Sequence, residues 1–133
     1  MNVEHPMKPA RLDHLVLTVR DMQATIDFYG NVLGLAVLTF DENRKGLSLG
    51  EQKINLHVAG EEFLPCAARP TPGSADFCLI VEQPVEEVVE HLKRHGVIIE
   101  CGPVRRQGTL YPLMSVYIRD PDGNLVEIGS PVL

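Results

Sequence analysis

Apolar and polar residues alternate near the start of the chain, and the pattern then changes to a helical period. In residues 11–19, the apolar residues at positions 15, 17 and 19 lie on one face of a predicted strand and His14 lies on the other. Apolar residues then recur at helical spacing, which predicts a helix over residues 22–33 with Asp21 as its cap. Three further strands are predicted over residues 35–40, 46–49 and 53–59.

The same order of elements returns after residues 61–73, which contain three prolines and are predicted to form an extended connector. A strand over residues 76–81 precedes a helix that has Pro84 in its first position and ends at Gly96. The remaining strands are predicted over residues 98–101, 114–120 and 124–128, with a loop over 102–112. The prediction is therefore a flexible tail (1–10) and one domain (11–133) of two modules (11–60 and 74–130) joined by the connector (61–73).

Residues 119–128 combine a tight turn with a strand that carries one acid. Pro121 fixes a turn dihedral angle, and Gly123 supplies the positive φ that the chain reversal needs. Alternation then places Val126 and Ile128 on one face and Glu127 on the other. Glu127 is the single charge in an apolar strand, so it either faces water or has a partner such as a metal ion.

Two histidines and two acids fall at related positions when the halves are superimposed by their order of elements. His14 matches Asp76 in the first strands, and His57 matches Glu127 in the last strands. Alternation places each of them opposite the apolar face of its strand, so that they are predicted to converge on a concave surface. Two imidazoles and two carboxylates suit a zinc, nickel, manganese or iron ion. Taken singly, each of these residues also has an ordinary structural interpretation, and His91, four residues before His95, is interpreted as structural.

Composition excludes several classes of function. The net charge of the 133 residues is −6 without a basic stripe, which argues against a nucleic-acid partner. No apolar run approaches the ~20 residues of a membrane span. The three cysteines form no Cys-x-x-Cys pair, which is typical of reduced thiols and favours a cytoplasmic location. Tryptophan is absent, which disfavours a site built from stacked rings.

Three segments resemble the vicinal oxygen chelate superfamily, which includes glyoxalase I, fosfomycin-resistance proteins, extradiol dioxygenases and bleomycin-resistance proteins. They are residues 12–19 with the Phe28-Tyr29 and Leu33-Gly34 pairs, residues 54–57, and residues 120–127. In detail the chain is similar to small single-domain glyoxalase-domain proteins, including bacterial ones described as virulence-associated. The resemblance implies an α+β fold in which two βαβββ modules form a cupped mixed sheet, commonly in a homodimer with a divalent metal ion in the cup.

The resemblance also implies roles for individual residues. His14 matches the family's first metal ligand and Glu127 its last, and His57 lies where glyoxalase I proteins place a glutamate. Asp76 lies where most of the family places a histidine, so it is either a ligand or a catalytic base beside the metal. The metal ligands expected are His14, His57 and Glu127, and the catalytic residues expected are Glu127 and Asp76.

The function implied is that of a metal-dependent lyase similar to lactoylglutathione lyase. Its substrate would be the hemithioacetal of an α-oxoaldehyde and a thiol, isomerised through an enediolate by a carboxylate that moves a proton between adjacent carbons. Arg44, Arg106 and Tyr111 are candidates for contact with an anionic substrate. Two alternatives stay open: an extradiol-type dioxygenase or thiol transferase on the same scaffold, and a metal-free protein that binds a drug or another small molecule.

Overall fold

Two modules with the same order of elements follow one another in the computed structural model, which describes residues 5–133. The first module contains β1 (His14–Val19), α1 (Met22–Ile26) with a π-helical continuation (Asp27–Val32), β2 (Val37–Phe40), β3 (Arg44–Leu49) and β4 (Gln52–Val58). The second contains β5 (Asp76–Ile80), α2 (Val85–Arg94), β6 (Cys101–Gln107), β7 (Pro112–Arg119) and β8 (Leu125–Pro131). The predicted repeat of strand, helix and three strands is confirmed.

Each module folds into its own mixed four-stranded sheet, with the strand orders β1-β4-β3-β2 and β5-β8-β7-β6. The first and last strands of each module pair in parallel, and the other pairs are antiparallel. This arrangement belongs to the α+β class, as predicted. Because the central strand β4 or β8 lies between a parallel and an antiparallel neighbour, its side chains occupy the middle of each sheet.

The inner faces of both sheets pack into one hydrophobic core, and the helices contribute to it. Alternation along β1 buries Leu17 and Val19 completely or nearly so, while His14 and Val16 on the other face stay exposed. The buried set of the two modules is Leu17, Val19, Tyr29, Leu47, Ile54, Leu56, Leu79, Val85, Leu92, Val116, Ile118, Val126 and Ile128. We call the opposite face of each sheet, which carries the polar alternates, its outer face.

The modules are also joined by polar contacts around the turn between β7 and β8. The Asp120 carboxylate accepts hydrogen bonds from the Tyr29 hydroxyl of the first module (2.7 Å) and from the backbone N–H groups of Asp122 and Asn124 (both 2.9 Å). The backbone N–H of Arg20 donates to Asp122 Oδ1 at 3.0 Å. These groups are buried, so each bond also removes the desolvation cost of an unpaired polar atom.

The predicted helix over residues 22–33 is in place, but its geometry changes along its length. Asp21 is the N-cap as predicted, and its Oδ1 accepts from the Ala24 backbone N–H at 3.0 Å. The α-helix ends at Ile26 and continues as a π-helix to Val32, after which Gly34 adopts a φ of +81°. Pro84 is the N-cap of α2 and not its first helical residue, a difference of one position.

One predicted strand and one predicted loop are wrong in the second module. Residues 98–100 are not in a strand, and β6 runs over Cys101–Gln107, inside the segment predicted to be a loop. Gly102 and Pro103 lie in β6, which is an edge strand with a register shift between Cys101 and Val104. An edge strand with a bulge tolerates a proline, because the missing N–H has no ladder partner to lose.

The predicted tail over residues 1–10 lies partly outside the described residues. Its described part, residues 5–10, is exposed and belongs to no helix or strand. Within the described part of the chain, no helix is long and apolar enough to cross a membrane.

Candidate functional site

The outer face of the first module carries the two histidines that the sequence singled out. His14 begins β1, its side chain is 44% exposed, and its Nδ1 lies 2.9 Å from the Asp13 carboxylate. The hydrogen bond from His14 lowers the pKa of Asp13. Nε2 of His14 forms no hydrogen bond or ion pair with another residue in the described part of the chain, so this ring nitrogen is available to bind a ligand.

His57 on β4 has a different environment, because it is buried with only 3% of its surface exposed. Its Nε2 lies 3.3 Å from Nη2 of Arg44, and its ring meets the ring of Phe63 edge-on at a centroid distance of 5.5 Å. Burial, and then the neighbouring Arg44 cation, lower the pKa of His57. Nδ1 of His57 is buried without a hydrogen-bond partner among the described residues.

The strand register shows which residue of β4 corresponds to Glu127. In the second module, β5 begins at Asp76, which is paired with Leu125, and Glu127 lies two residues further along β8. In the first module, β1 begins at His14, which is paired with Lys53, and Asn55 lies two residues further along β4. The counterpart of Glu127 is therefore Asn55, and the match of Glu127 to His57 made from the order of elements is displaced by two residues.

The same register separates His14 from His57. His57 is paired with Thr18, four residues beyond His14 along β1, which corresponds to about 13 Å at 3.3 Å per residue. Asn55 is paired with Val16, only two residues beyond His14, or about 7 Å along the strands. Asn55 is 5% exposed and its Oδ1 is buried without a partner among the described residues. His14 and Asn55 are thus the pair that the sheet brings together.

The outer face of the second module carries the two acids. Asp76 is exposed at the start of β5, and Glu127 is half-buried in the middle of the sheet beside Cys78, its partner in the register. Partial burial, and then the charge of Glu127, raise the pKa of the Cys78 thiol to about 11. A thiol with so high a pKa is a poor nucleophile near neutral pH.

Glu127 lies beside a short chain of side chains across β7 and β6. Tyr117 is paired directly with Glu127 in the register, and burial and then the Glu127 carboxylate raise the pKa of its phenol. The Tyr117 hydroxyl accepts a bond from Nε of Arg106 at 2.9 Å. Arg106, predicted as a substrate contact, therefore has a protein partner, and its guanidinium lies 5.5 Å from the Tyr117 ring centroid.

A cavity of about 530 Å³ lies beside Glu127 and Cys78 on this outer face. Its other walls are Ile80, residues 107–111, Leu113 and Pro131, so the predicted substrate contact Tyr111 lines it. A larger cavity of about 640 Å³ lies between the modules along α2, and none of the predicted metal or catalytic residues lines it. Of the two cavities, the smaller one adjoins the candidate catalytic residue Glu127.

The four predicted residues do not converge within one chain. Within residues 5–133, no group of three or more His, Cys, Asp or Glu side chains lies close enough to hold a metal ion. The reason is the packing of the modules: their inner faces share one core, so the outer faces point away from it. His14 and Asn55 form one half of the candidate site, and Asp76 and Glu127 form the other.

Asn55 is the residue that sequence reasoning missed. The segment Ile54-Asn55-Leu56 repeats the apolar–polar–apolar pattern of Val126-Glu127-Ile128, but so does the overlapping segment that is centred on His57. Alternation gives the face of a residue and not its level along the strand. Only the pairing with β1 distinguishes the two positions.

The fold and these two faces define a member of the Glyoxalase/Bleomycin resistance protein/Dioxygenase superfamily, whose family model matches residues 11–128. The chain belongs to this family, as the resemblance indicated.

Several named proteins are similar to it. Virulence protein STM3117 of Salmonella typhimurium is 55% identical over 122 residues, which cover 92% of this chain and 85% of that protein. In the crystal structure of that protein, the match has a TM-score of 0.92 and covers 95% of this chain and 100% of the other. The glyoxalase domain-containing protein RDO1 of Mycosarcoma maydis is 49% identical over 119 residues, 90% of this chain and 67% of that protein. Lactoylglutathione lyase of Salmonella typhimurium is 30% identical over 133 residues, 89% of this chain and 90% of that enzyme.

Proposed function

We propose that residues 11–133 form a single domain that acts as a divalent-metal-dependent enzyme of the glyoxalase I type on a small substrate with neighbouring oxygens. The observation that carries this proposal is the shared register of the modules, in which His14 and Asn55 repeat the positions of Asp76 and Glu127. Membership of the superfamily and 30% identity to lactoylglutathione lyase support it.

The residues present fit a divalent ion such as zinc, nickel, manganese or iron. An imidazole, an amide oxygen and two carboxylates are common donors for these metals. The Oδ1 atom of Asn55 is buried without a partner among the described residues, and a bound metal ion would supply that partner. His14, Asn55, Asp76 and Glu127 would hold the ion, and His57, the donor predicted from the sequence, lies two residues further along β4. When bound, the ion would act as a Lewis acid towards two adjacent substrate oxygens.

The protein's own part in the reaction is proton transfer and orientation. The Glu127 carboxylate takes a proton from one substrate carbon and returns it to the adjacent carbon, while Tyr117, its register partner on β7, packs beside it. Asp76 is either a ligand or a second base beside it. The cavity next to Glu127, lined by Tyr111, accommodates the rest of the substrate, such as a thiol adduct.

A homodimer would bring the two half-sites together. The first module's outer face carries the cations Arg44 and Lys53, and the second carries the acids Asp76 and Glu127, so the two faces attract each other. Exposed apolar residues on and around these faces support the pairing: Val16 is 44%, Ile80 55% and Leu110 80% exposed. The first module of one copy would then face the second module of its partner.

Metal content and turnover test the proposal together. The purified protein is loaded with each candidate ion, its metal content is measured, and the conversion of the methylglyoxal–glutathione hemithioacetal is followed. We expect stoichiometric metal and metal-dependent turnover, both abolished by chelation. A metal-loaded protein without turnover of this or other thiol adducts would contradict the lyase assignment. Turnover that chelation does not change would contradict the proposed requirement for a metal ion.

Mixing two inactive variants tests whether the site is shared. His14→Ala and Glu127→Gln are each expected to be inactive, because each damages both sites of the dimer. In a 1:1 mixture after subunit exchange, half of the dimers combine one copy of each variant, and each of these has one intact site. Recovery of about a quarter of the wild-type activity is therefore expected. A mixture that stays inactive although exchange is complete would show that each site lies within one chain.

The proposed location is the cytoplasm. Cys66, Cys78 and Cys101 are free thiols, which is typical of proteins in a reducing compartment.

A further inference from the structure

Arg44 is a half-buried cation that meets no carboxylate within residues 5–133. Two acids, Asp41 and Glu42, lie in the turn just before it, yet neither forms an ion pair with its guanidinium. Both are exposed to solvent and adopt positive φ values of 44° and 72°. Because Arg44 opens strand β3 on the outer face, its side chain extends across the sheet and away from the turn.

Aromatic rings and a buried histidine hold the Arg44 guanidinium in place. Its Cζ lies 4.5 Å from the ring centroid of Phe63 and 5.5 Å from that of Phe40. Its Nη2 donates to Nε2 of His57 at 3.3 Å. Rings favour a cation electrostatically, but they take up none of its N–H donors. A guanidinium has five such donors, and only one is used here. The cation is thus fixed while most of its hydrogen-bonding capacity stays open.

His57 is suited to position Arg44 and not to bind a metal ion in this arrangement. It is 3% exposed, and its Nε2 is the acceptor for Arg44. A divalent ion on Nε2 would lie within a few ångströms of the guanidinium, and two cations at that distance repel each other strongly in a partly buried site. Nδ1 of His57 then carries the proton and is buried without a partner among the described residues. An anion near Arg44 would compensate the cation, which forms no ion pair within residues 5–133.

We propose that Arg44 binds a carboxylate group of the substrate and that His57 is its positioning residue. This inference rests on the proposed function, deepens it by naming the substrate class, and assigns His57 to the anion and Asn55 to the metal. A guanidinium fork matches a carboxylate in shape and charge. Asn55 and His57 are two residues apart on β4, about 7 Å. The substrate therefore carries its carboxylate several bonds away from the oxygens that react.

The test uses chelator-treated protein, so that no metal takes part. Butyrate and the neutral butyramide, which has the same shape, are titrated separately into the protein, and binding is followed in every variant through the backbone amide resonances by NMR. We expect the wild-type protein to bind butyrate about ten- to hundredfold more tightly than butyramide, the range of a charge-assisted hydrogen bond. Arg44→Gln should bind the two probes equally, without a change in thermal midpoint.

Two further variants separate charge from position. Arg94→Gln removes the same charge from the exposed part of helix α2 and should leave the preference for butyrate unchanged. His57→Leu keeps Arg44 but removes its acceptor, so that the preference should fall only in part, and less than in Arg44→Gln. Inorganic phosphate is added as a competitor and should displace butyrate poorly.

Several outcomes would overturn the inference. Equal binding of butyrate and butyramide by the wild type, or a preference that survives Arg44→Gln, removes the carboxylate site. If phosphate displaces butyrate when phosphate is present at the lower concentration, the site prefers phosphate, and the assignment to a carboxylate is wrong. Because the titrations contain no metal, an Arg44-dependent preference stands even if the protein fails to bind metal, in which case only the proposed lyase activity is lost.

Discussion

The outer faces of the two modules share one strand register but differ in chemistry. In the first module, the central strand places Asn55 and His57 in a buried environment beside the Arg44 cation. In the second, the matching strand places Glu127 at the level of Asn55, and Gly129 at the level of His57. The register therefore fixes where a functional residue lies, and the individual side chain decides what it does.

The last hairpins of the two modules differ in the same way. The turn of the second, residues 120–124, is tied to the first module through Tyr29 and to β5 through Asn124, whose Oδ1 accepts from the Ala75 backbone N–H at 2.8 Å. The corresponding turn of the first module, at Gly50, is exposed, and a Cβ there would meet nothing within 4 Å. The second module thus fixes the turn before β8 from both sides, whereas the turn before β4 is exposed to solvent.

The largest expected effect separates Glu127 from its counterpart Asn55. Glu127→Gln keeps the shape of the side chain but removes the base, so kcat for the hemithioacetal should fall by about 10²- to 10⁴-fold. Asn55→Ala removes an amide oxygen and should reduce metal content at limiting metal more than it reduces kcat of the fully loaded protein. Steady-state kinetics with parallel metal analysis measure both. A smaller loss of kcat in Glu127→Gln than in Asn55→Ala would show that the base is not in the second module.

Cys78 provides the next test, because its counterpart in the first module is Val16 and only the second face holds a thiol. Burial and Glu127 raise the pKa of Cys78 from 9.0 to about 11. At about pH 8 its thiolate fraction, and thus its rate of alkylation, should be about a hundredfold below that of an ordinary thiol. Mass spectrometry after timed treatment with iodoacetamide measures the rate.

Glu127→Gln is the matched variant for the Cys78 measurement. Removal of the neighbouring negative charge should lower the pKa of the thiol and speed its alkylation, while burial, the larger cause, keeps the rate below the ordinary value. An unchanged rate in this variant would show that Glu127 and Cys78 do not interact, and the assumed geometry of the second face would then be wrong.

The sequence sufficed to predict which face each residue occupies. Alternation separated Leu17 and Val19 from His14, and Leu79 from Asp76, because a strand repeats every two residues whatever its neighbours are. Alternation could not show which residue of the adjacent strand lies opposite a given residue, because the register is set by the pairing between strands. For this reason His57 was matched to Glu127, and Asn55 was overlooked.

Other features depended on tertiary structure in the same way. Part of the loop predicted over residues 102–112 is the edge strand β6, because an edge position does not need every N–H. The Asp120 side chain supports the turn by accepting from the backbone N–H groups of Asp122 and Asn124, but its bond to Tyr29 of the other module has no local signal. The separation of the two half-sites follows from how the modules pack, which no single strand reveals.

A smaller effect is expected where the modules are joined. Tyr29 is completely buried, and the Asp120 carboxylate beside it, together with burial, raises the pKa of its phenol. Tyr29→Phe removes the 2.7 Å bond and leaves Asp120 with its other donors, so the free energy of unfolding should fall by about 1–3 kcal/mol. Urea unfolding measures it. Tyr117→Phe, on a half-buried outer face, is the control and should cost less; the reverse order would show that the joint contributes little to stability.

The smallest effect concerns the buried imidazole of the first module. Burial and Arg44 lower the pKa of His57 below its usual 6.5, so near that pH the unfolded chain binds more protons than the folded one. Stability from this group is therefore full above 6.5 and decreases as the pH falls towards the lower folded pKa. His57→Gln cannot take up the proton, so unfolding free energies of chelator-treated protein at about pH 7.5 and 5.5 should differ less for it than for the wild type. Equal pH dependence of the two proteins would mean that His57 is as easily protonated in the fold as in water, and Arg44 could not then lie against it.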